Sequence, residues 1–197
     1  MRGPRPPHPS HAQGGARDWA APPGSPRRLG DALEGAGAVI RPLTESDVDA
    51  VVAFSLDAWA PVFASFETVM GPRVYRLVYP DWRTAQAAAV AELCRSAGVD
   101  VWVADVDGGP VGFVAVRWTE EDATPVGEVE MIALAPSHQR VGIASRLLER
   151  AVAEVSARGV SLAVIATGGD DGHAPARALY ERHGFTGLPL VRYYRAL

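Results

Sequence analysis

The stretch EVEMIALAPSHQRVGIASRLLERAVAE, residues 128–154, decides how the rest of the chain is interpreted. It begins with an apolar run that carries Glu128 and Glu130, turns at Pro136 and then passes through a loop of small residues. Beyond the loop, apolar residues recur at helical spacing: Ile143, Leu147, Leu148, Ala151, Val152 and Val155. The stretch therefore predicts a strand, a loop and an amphipathic helix in that order.

The loop, residues 139–145, has the features of an anion-binding site. The first N–H groups of a helix have no intrahelical partner, and the helix dipole favours a negative charge there. Gly142 has no side chain to block a phosphate, Ala144 has little, and Arg140 can add a charged hydrogen bond. Neither a Walker loop nor the glycine fingerprint of a dinucleotide-binding fold is present. The loop predicts a phosphate-bearing ligand along the strand edge, although an ordinary strand–turn–helix connection also fits it.

Composition bounds the class of protein. The 197 residues are 48% hydrophobic with a net charge of −4, which is typical of a globular protein of about one domain. The chain has no run of roughly 18 apolar residues, so no transmembrane helix is predicted, and no apolar segment suggests a secretory signal. The single cysteine, Cys94, excludes an internal disulfide, and the acidic balance argues against a nucleic-acid partner. We expect a cytoplasmic protein with no metal, nucleic-acid or membrane partner.

Residues 1–37 differ from the remainder of the chain. They contain seven prolines and seven glycines, lack apolar periodicity and carry five arginines against three acids. Such a segment buries too little apolar surface to offset the entropy of ordering it, which predicts a disordered tail. A basic tether for an acidic partner, or a true translation start near Val39, would be alternatives. Residues 38–197 then form the folded domain.

From Ala38 onwards the patterning predicts a mixed α/β fold. Strands are expected at residues 38–43, 99–106, 110–119, 127–136, 160–167 and 185–197, the last segment forming one or two strands. Helices are expected at 44–63 and 81–95, after the loop within 137–159, and at 175–184. Pro61 should end or kink the first helix, and Asp107–Gly109 should close a hairpin. The expected order is βααβββαβαβ, in a mixed, mostly antiparallel sheet with helices on both faces.

A second motif, ARALYERHGF at residues 176–185, follows the loop after one helix and one strand. This block and the Q-x-x-G-x-A loop at residues 139–144, in this order, closely resemble the GNAT family, the Gcn5-related N-acetyltransferases. The resemblance covers residues 38–197, and the expected order of elements agrees with the GNAT fold.

The resemblance implies acetyl-CoA as the donor and suggests roles for residues of this chain. In the family, the pantetheine arm pairs with the backbone of the fourth strand where it separates from its neighbour, here Ile132, Ala133 and Leu134. The pyrophosphate is held by amides of the loop, here Arg140, Val141, Gly142, Ile143, Ala144 and Ser145. The tyrosine of the second motif, here Tyr180, usually protonates the departing thiolate.

Transfer to an amine also needs a base, because an alkylammonium with a pKa of about 10 must lose a proton before it attacks. Glu128 and Glu130 stand two apart on one strand and so share a face. Glu128 aligns with a glutamate base of some family members, and Glu130 lies one pleat repeat closer to the thioester. Either could act as the base. Both could instead be polar residues on an open part of the sheet, or anchors for a substrate ammonium.

Two segments leave alternatives open. His173 stands about where many relatives carry an asparagine that bonds the pantetheine or a water, so it is a candidate cofactor-binding residue or an ordinary loop residue. The segment of residues 58–82 could wall an acceptor pocket or pack in the core. Its aromatic residues are Trp59, Phe63, Phe66, Tyr75, Tyr79 and Trp82.

The resemblance leads to one expected function and two alternatives. We expect an enzyme that moves acetyl from acetyl-CoA directly to a primary amine of a small molecule. No catalytic Ser or Cys setting is recognisable, so no covalent enzyme intermediate is expected. The alternatives are N-acetylation of a protein or peptide, and non-catalytic binding of acyl-CoA by a sensor domain. Dimers are frequent in the family, so a homodimer is a further expectation.

Overall fold

A mixed five-stranded sheet organises the described part of the chain. The computed structural model describes residues 37–121 and 123–197, so the predicted tail of residues 1–37 lies, except for Gly37, outside the described residues. The strands are β1 (Val39–Pro42), β2 (Val99–Val106), β3 (Gly109–Glu121), β4 (Thr124–Leu134) and β5 (Ala163–Ile165). The helices are α1 (Val48–Val78), α2 (Trp82–Arg95), α3 (Ile143–Ala157) and α4 (Ala174–Arg182).

The strands lie in the order β1-β2-β3-β4-β5, with antiparallel pairing up to β4 and parallel pairing between β4 and β5. The predicted hairpin joins β2 to β3. Asp107 and Gly108 both have left-handed backbones, with φ of 53° and 84°, as a two-residue turn of this hand requires. The predicted mixed, mostly antiparallel sheet is confirmed.

Helices cover both faces of the sheet, as predicted. On one face, α3 and α4 pack on a core that includes Leu147 and Val114. On the other face, α1 and α2 pack on a core that includes Val51 and Phe113. Phe113 and Val114 are neighbours on β3, so the alternation of a strand sends their side chains to opposite cores.

The first helix is longer than the sequence indicated. α1 continues through Pro61, where an end or a kink was predicted. Val62 beside it is buried, so packing offsets the loss of one helical hydrogen bond. The break lies instead at Gly71, whose φ of 71° and ψ of 157° are non-helical. Pro72 then begins the last helical stretch, a position that needs no N–H.

By length and composition alone, the helical stretch Glu45–Val78 could cross a membrane. An 18-residue window of the stretch has a mean hydropathy of 1.3, and 33% of that window is buried. Core helices of globular proteins pass the same test, and this stretch packs on the sheet through Val51. The finding is therefore weak evidence for a membrane span.

The predicted final strands do not form. Residues 183–197 contain no strand, and Leu188, Leu190 and Val191 are 80%, 84% and 74% exposed. The segment is rich in strand-forming residues, but that preference takes effect only against a partner strand. β5 pairs through only three residues, and Pro189 lacks the N–H that a strand ladder needs. The observed order is βααβββαβα.

Candidate active site

β4 loses one neighbour halfway along, and this opens the sheet. Pairing with β5 runs only through Gly127, Glu128 and Val129, whereas β4 continues to Leu134 against β3. On the β5 side, residues 130–134 therefore have no strand partner within the described part of the chain. Backbone groups on that side can bond an extended ligand, as those of an edge strand do.

A β-bulge at Glu130 lies at the same point. Val116 of β3 pairs with Val129 and Ala115 pairs with Met131, so the register skips Glu130. As a result Val129 packs with the α3 core, while Met131, only two residues on, packs with the α1 core. Such a bulge bends its strand and re-aims side chains. The simple two-residue alternation that predicted a shared face for Glu128 and Glu130 is therefore interrupted between them.

The opening leads into a cleft of about 800 Å³. Its walls come from β4, the middle of α1, the loop before α3, the loop after β5 and one face of α4. A volume of this size is typical of a site for a small molecule or cofactor.

The loop before α3 exposes backbone amides to the cleft. Arg140 and Gly142 both have left-handed backbones, with φ of 66° and 85°, and Gly142 is the N-cap of α3. The first helical hydrogen bond is donated by Arg146 to the carbonyl of Gly142, at 3.3 Å. The N–H groups of residues 143–145 therefore have no helical partner and are placed for an anion.

The predicted cofactor-binding residues divide by where their side chains lie. Those that line the cleft are Ile132, Ala133, Leu134, Arg140, Gly142, Ala144, Ser145 and His173. Ile143 is buried in the α3 core, and the side chain of Val141 is 51% exposed outside the lining. Only the backbone N–H groups of these two residues can therefore serve a ligand in the cleft.

Tyr180 projects from α4 into the cleft lining and is 8% exposed. Its ring centroid lies 6.2 Å from that of Phe185. Burial raises the pKa of the Tyr180 phenol to about 12, because the charged phenolate loses its solvation. At neutral pH the side chain is therefore a neutral O–H donor.

The two candidate base residues of β4 are placed differently. Glu130 lines the cleft and accepts a hydrogen bond from Arg117 in an ion pair. Glu128 lies outside the cleft lining and stands opposite Arg117 in the strand register. One guanidinium thus neighbours both carboxylates, which the sequence did not indicate.

Most of the aromatic segment packs on itself. The rings of Phe63 and Trp82 stack with centroids 4.1 Å apart, and those of Phe66 and Tyr79 stack at 5.5 Å. Among the six aromatic residues, only Trp59 belongs to the cleft lining. The main role of these rings is therefore to pack on one another, and Trp59 is the segment's contribution to the cleft lining.

Two charged residues of the cleft escaped the sequence analysis. Asp57 of α1 lies in the cleft lining near Trp59, and Arg182 of α4 lies there near Tyr180. Helical spacing could have indicated that both residues reach the cleft. Arg182 lies three positions after Leu179, which also lines the cleft. Asp57 lies about one helical turn before Pro61, another lining residue.

Sequence comparison matches part of the chain to known proteins. Residues 97–187 match the family model described as an acetyltransferase (GNAT) domain. Over 88 residues the chain is 32% identical to a mycothiol acetyltransferase from Beutenbergia cavernae. That match covers 45% of this chain but only 29% of the relative, so the chain spans less than a third of its length.

Solved structures of similar fold cover most of the chain. The CoA complex of aminoglycoside N-acetyltransferase AAC(6')-Iy has a TM-score of 0.56 at 18% identity, covering 82% of this chain and 96% of that one. A protein described as a GNAT-family acetyltransferase from Desulfovibrio desulfuricans has a TM-score of 0.57 at 22% identity, covering 78% and 87%. A ribosomal-protein-alanine N-acetyltransferase from Brucella melitensis biovar Abortus 2308 has a TM-score of 0.50 at 20% identity, covering 81% and 100%. These likenesses show that the chain has the fold of these acetyltransferases, and the match to the GNAT domain model covers residues 97–187 of it.

Proposed function

We propose that this protein is an acetyl-CoA-dependent N-acetyltransferase that moves the acetyl group directly to a primary amine of a small molecule. The observation that carries the proposal is one cleft in which an unpaired strand edge, free helix amides and a buried tyrosine meet. The match to the acetyltransferase domain supports acyl transfer, and the CoA complex of a structural neighbour supports the donor.

The residues of the cleft suit the donor that we propose. Acetyl-CoA supplies an activated thioester on an extended pantetheine arm. The amides of that arm can pair with the free side of β4 at residues 132–134, in the manner of an added strand. Its pyrophosphate can bind the amides of residues 143–145, with positive charge from Arg140 and Arg182.

The proposed reaction is a direct attack of the amine nitrogen on the thioester carbon. The cleft contributes by holding both reactants in attack geometry, and backbone amides of β4 polarise the thioester carbonyl. Tyr180 donates its proton to the departing thiolate, which its neutral state at physiological pH allows. A non-catalytic acyl-CoA sensor would have no need of this buried acid at the thiolate position.

The acceptor that we propose is a small cationic amine. Asp57 and Glu130 bring carboxylates to the cleft lining, and Trp59 offers an aromatic surface for a ring or an ammonium group. The names of two relatives, an aminoglycoside N-acetyltransferase and a mycothiol acetyltransferase, support small acceptors. The alternative acceptor, a protein or peptide N-terminus, is supported by the likeness to the ribosomal-protein-alanine N-acetyltransferase.

We further infer that the protein forms a homodimer. Its C-terminal segment exposes Leu188, Leu190 and Val191, a run of apolar side chains that a second copy could cover. β5 is the last strand in the order of the sheet, so its outer side could also pair with a second copy.

Thiol release from acetyl-CoA by the purified protein tests the proposed function. The assay is run without acceptor and then with polyamines, aminoglycosides, amino acids, arylamines and short peptides. A rate that rises with a small amine confirms the proposal, and a rate that rises only with peptides replaces it with the alternative. If the protein binds acetyl-CoA but releases no thiol with any acceptor, the result favours a sensor. If it binds no acetyl-CoA, the donor assignment is wrong.

A further inference from the structure

The loop after β5 holds a histidine–carboxylate pair in the wall of the cleft. Nδ1 of His173 lies 2.6 Å from Oδ1 of Asp170, and the two side chains are only 16% and 7% exposed. His173 belongs to the cleft lining, and the centroid of its ring lies 5.5 Å from that of Phe66 in α1.

The pair leaves one ring nitrogen of His173 available. Burial raises the pKa of Asp170, but the hydrogen bond from His173 and a contact with Ser65 outweigh burial and leave that pKa below its ordinary value. An ionised carboxylate only accepts hydrogen bonds, so Nδ1 must carry the hydrogen. In the neutral tautomer with this hydrogen, Nε2 carries the free lone pair. It has no hydrogen-bond partner among the residues that the structure describes.

The surrounding loop fixes the orientation of the pair. The N–H of Gly172 donates to Oδ2 of Asp170 and to Oγ of Ser65, both at 3.0 Å. Arg177 donates to two carbonyls of the loop at 2.6 and 2.7 Å. A methyl group on Gly168 would overlap both side chains of the pair. These contacts hold the imidazole in one orientation, as a side chain that accepts a proton in a reaction requires.

The carboxylates of β4 are less suited to accept a proton. Protonation of Glu130 would break its ion pair with Arg117, which lies half-buried beside it. Glu128 stands opposite the same guanidinium and outside the cleft lining. Of the two, Glu130 alone reaches the cleft, and one of its oxygens is already engaged by Arg117.

We propose that His173 is the general base of the acetyl transfer and that Asp170 positions it. The inference rests on the N-acetyltransferase activity proposed above and names the group that activates its acceptor. Nε2 takes one proton from the acceptor ammonium, and the freed nitrogen attacks the thioester carbon. As the C–S bond breaks, Tyr180 protonates the thiolate, and its phenolate recovers the second proton from the new amide nitrogen. One proton remains on His173 and passes to solvent.

The first test compares variants in the thiol-release assay, with the best amine of the panel and with water alone as acceptors. His173→Gln and His173→Asn keep a hydrogen-bonding side chain but cannot take a proton, so kcat should fall by roughly 100-fold. Calorimetry should show unchanged acetyl-CoA affinity for both variants. His183→Gln is the matched control, because His183 is 17% exposed, lies 3.9 Å from Glu149 and is outside the cleft lining. It should keep the wild-type rate.

Two further measurements separate a base from a structural residue. A fluorinated analogue of the same amine is largely unprotonated at neutral pH, so the defect of His173→Gln should shrink with this acceptor. Added imidazole should restore part of the rate of His173→Ala. Asp170→Asn should lower kcat by roughly 10-fold without changing KM, as expected for a residue that acts through His173.

The outcomes distinguish the two proposals. A wild-type protein that binds acetyl-CoA but releases no thiol would overturn the proposed activity and the base role that rests on it. An active wild type with His173→Gln and His173→Asn within about twofold of it would overturn the base role alone. A weaker acetyl-CoA affinity with unchanged kcat would also overturn it, since His173 would then be a donor-binding residue.

Discussion

Tyr180 shows how packing suits a side chain to chemistry. An exposed tyrosine has a pKa of about 10, but Tyr180 is buried to 8% exposure and its pKa rises to about 12. The phenol therefore stays protonated at neutral pH and has a proton to donate. A motif in the sequence identified the residue, while its burial could be seen only in the folded chain.

Tyr180→Phe should lower kcat by roughly 100-fold, because the thiolate would leave without a proton from the protein. The acetyl-CoA dissociation constant should stay within about twofold, since the ring that packs in the core is kept. Thiol release and calorimetry measure the two quantities separately. Equal turnover in the variant would remove Tyr180 from the acid role.

Asp47 should make the stability of the fold depend on acid. It accepts hydrogen bonds from Arg41 at 2.6 and 2.9 Å and from Thr44 at 2.8 Å, and the Arg41 guanidinium holds its pKa well below the usual range. The stabilisation is fully present above the unfolded-state pKa of about 3.9 and is lost as pH falls through the lower folded-state value.

Asp47→Asn should therefore cost on the order of 2 kcal/mol of unfolding free energy at neutral pH, and progressively less below about pH 4. Denaturant unfolding across this range measures the difference. Asp49→Asn, which changes an exposed carboxylate in the first turn of α1, is the matched control and should show neither effect. A pH-independent cost for Asp47→Asn would mean that the ion pair is not its source.

At the scale of elements, the start of α3 combines a helix terminus with a backbone that only glycine adopts easily. Gly142 sits at φ 85° at the entrance of the helix, and Gly159 sits at φ 71° just beyond its end. Both positions disfavour a β-branched side chain equally on backbone grounds. Only the first lies in the cleft lining.

Gly142→Val and Gly159→Val should each cost roughly 1–2 kcal/mol of unfolding free energy, from the same backbone strain. Only Gly142→Val should also weaken acetyl-CoA binding, by at least about tenfold, because its side chain would stand where the pyrophosphate approaches. Thermal unfolding and calorimetry on both variants test this pair. Unchanged affinity in Gly142→Val would show that the phosphates bind elsewhere.

At the scale of the whole molecule, periodicity and turn chemistry predicted the sheet, the hairpin and the helices on both faces. Those elements depend on local patterns, such as the apolar spacing of α3 and the glycines after Asp107. The bulge at Glu130 depends on how β4 pairs with β3. Asp170 and His173 are only three residues apart, but Ser65 and Phe66 of the distant helix α1 fix their orientation, so apolar spacing indicates neither feature. The final strand was predicted from the strand preference of its residues, but that segment pairs with no strand among the described residues.

The exposed C-terminal segment makes the oligomeric state testable. Replacing Leu188, Leu190 and Val191 by serine should convert a dimer to a monomer, as measured by light scattering, because the apolar surface proposed to be covered would be lost. Val69→Ser with Leu77→Ser removes apolar side chains that are 69% and 68% exposed elsewhere and should leave the dimer intact. A wild-type monomer would contradict the inferred homodimer.

A donor bound in the gap between β4 and β5 would tie the survival of the protein to metabolism. β4 and β5 pair along only part of their length, so the sheet is completed only when a ligand occupies the gap between them. If the donor does so, each tenfold rise in its free concentration above the dissociation constant adds about 1.4 kcal/mol to the free energy of unfolding. Resistance to heat and to proteases would then track the acetyl-CoA level of the cell, so the protein would persist longest when its donor is abundant and be cleared first when carbon runs short.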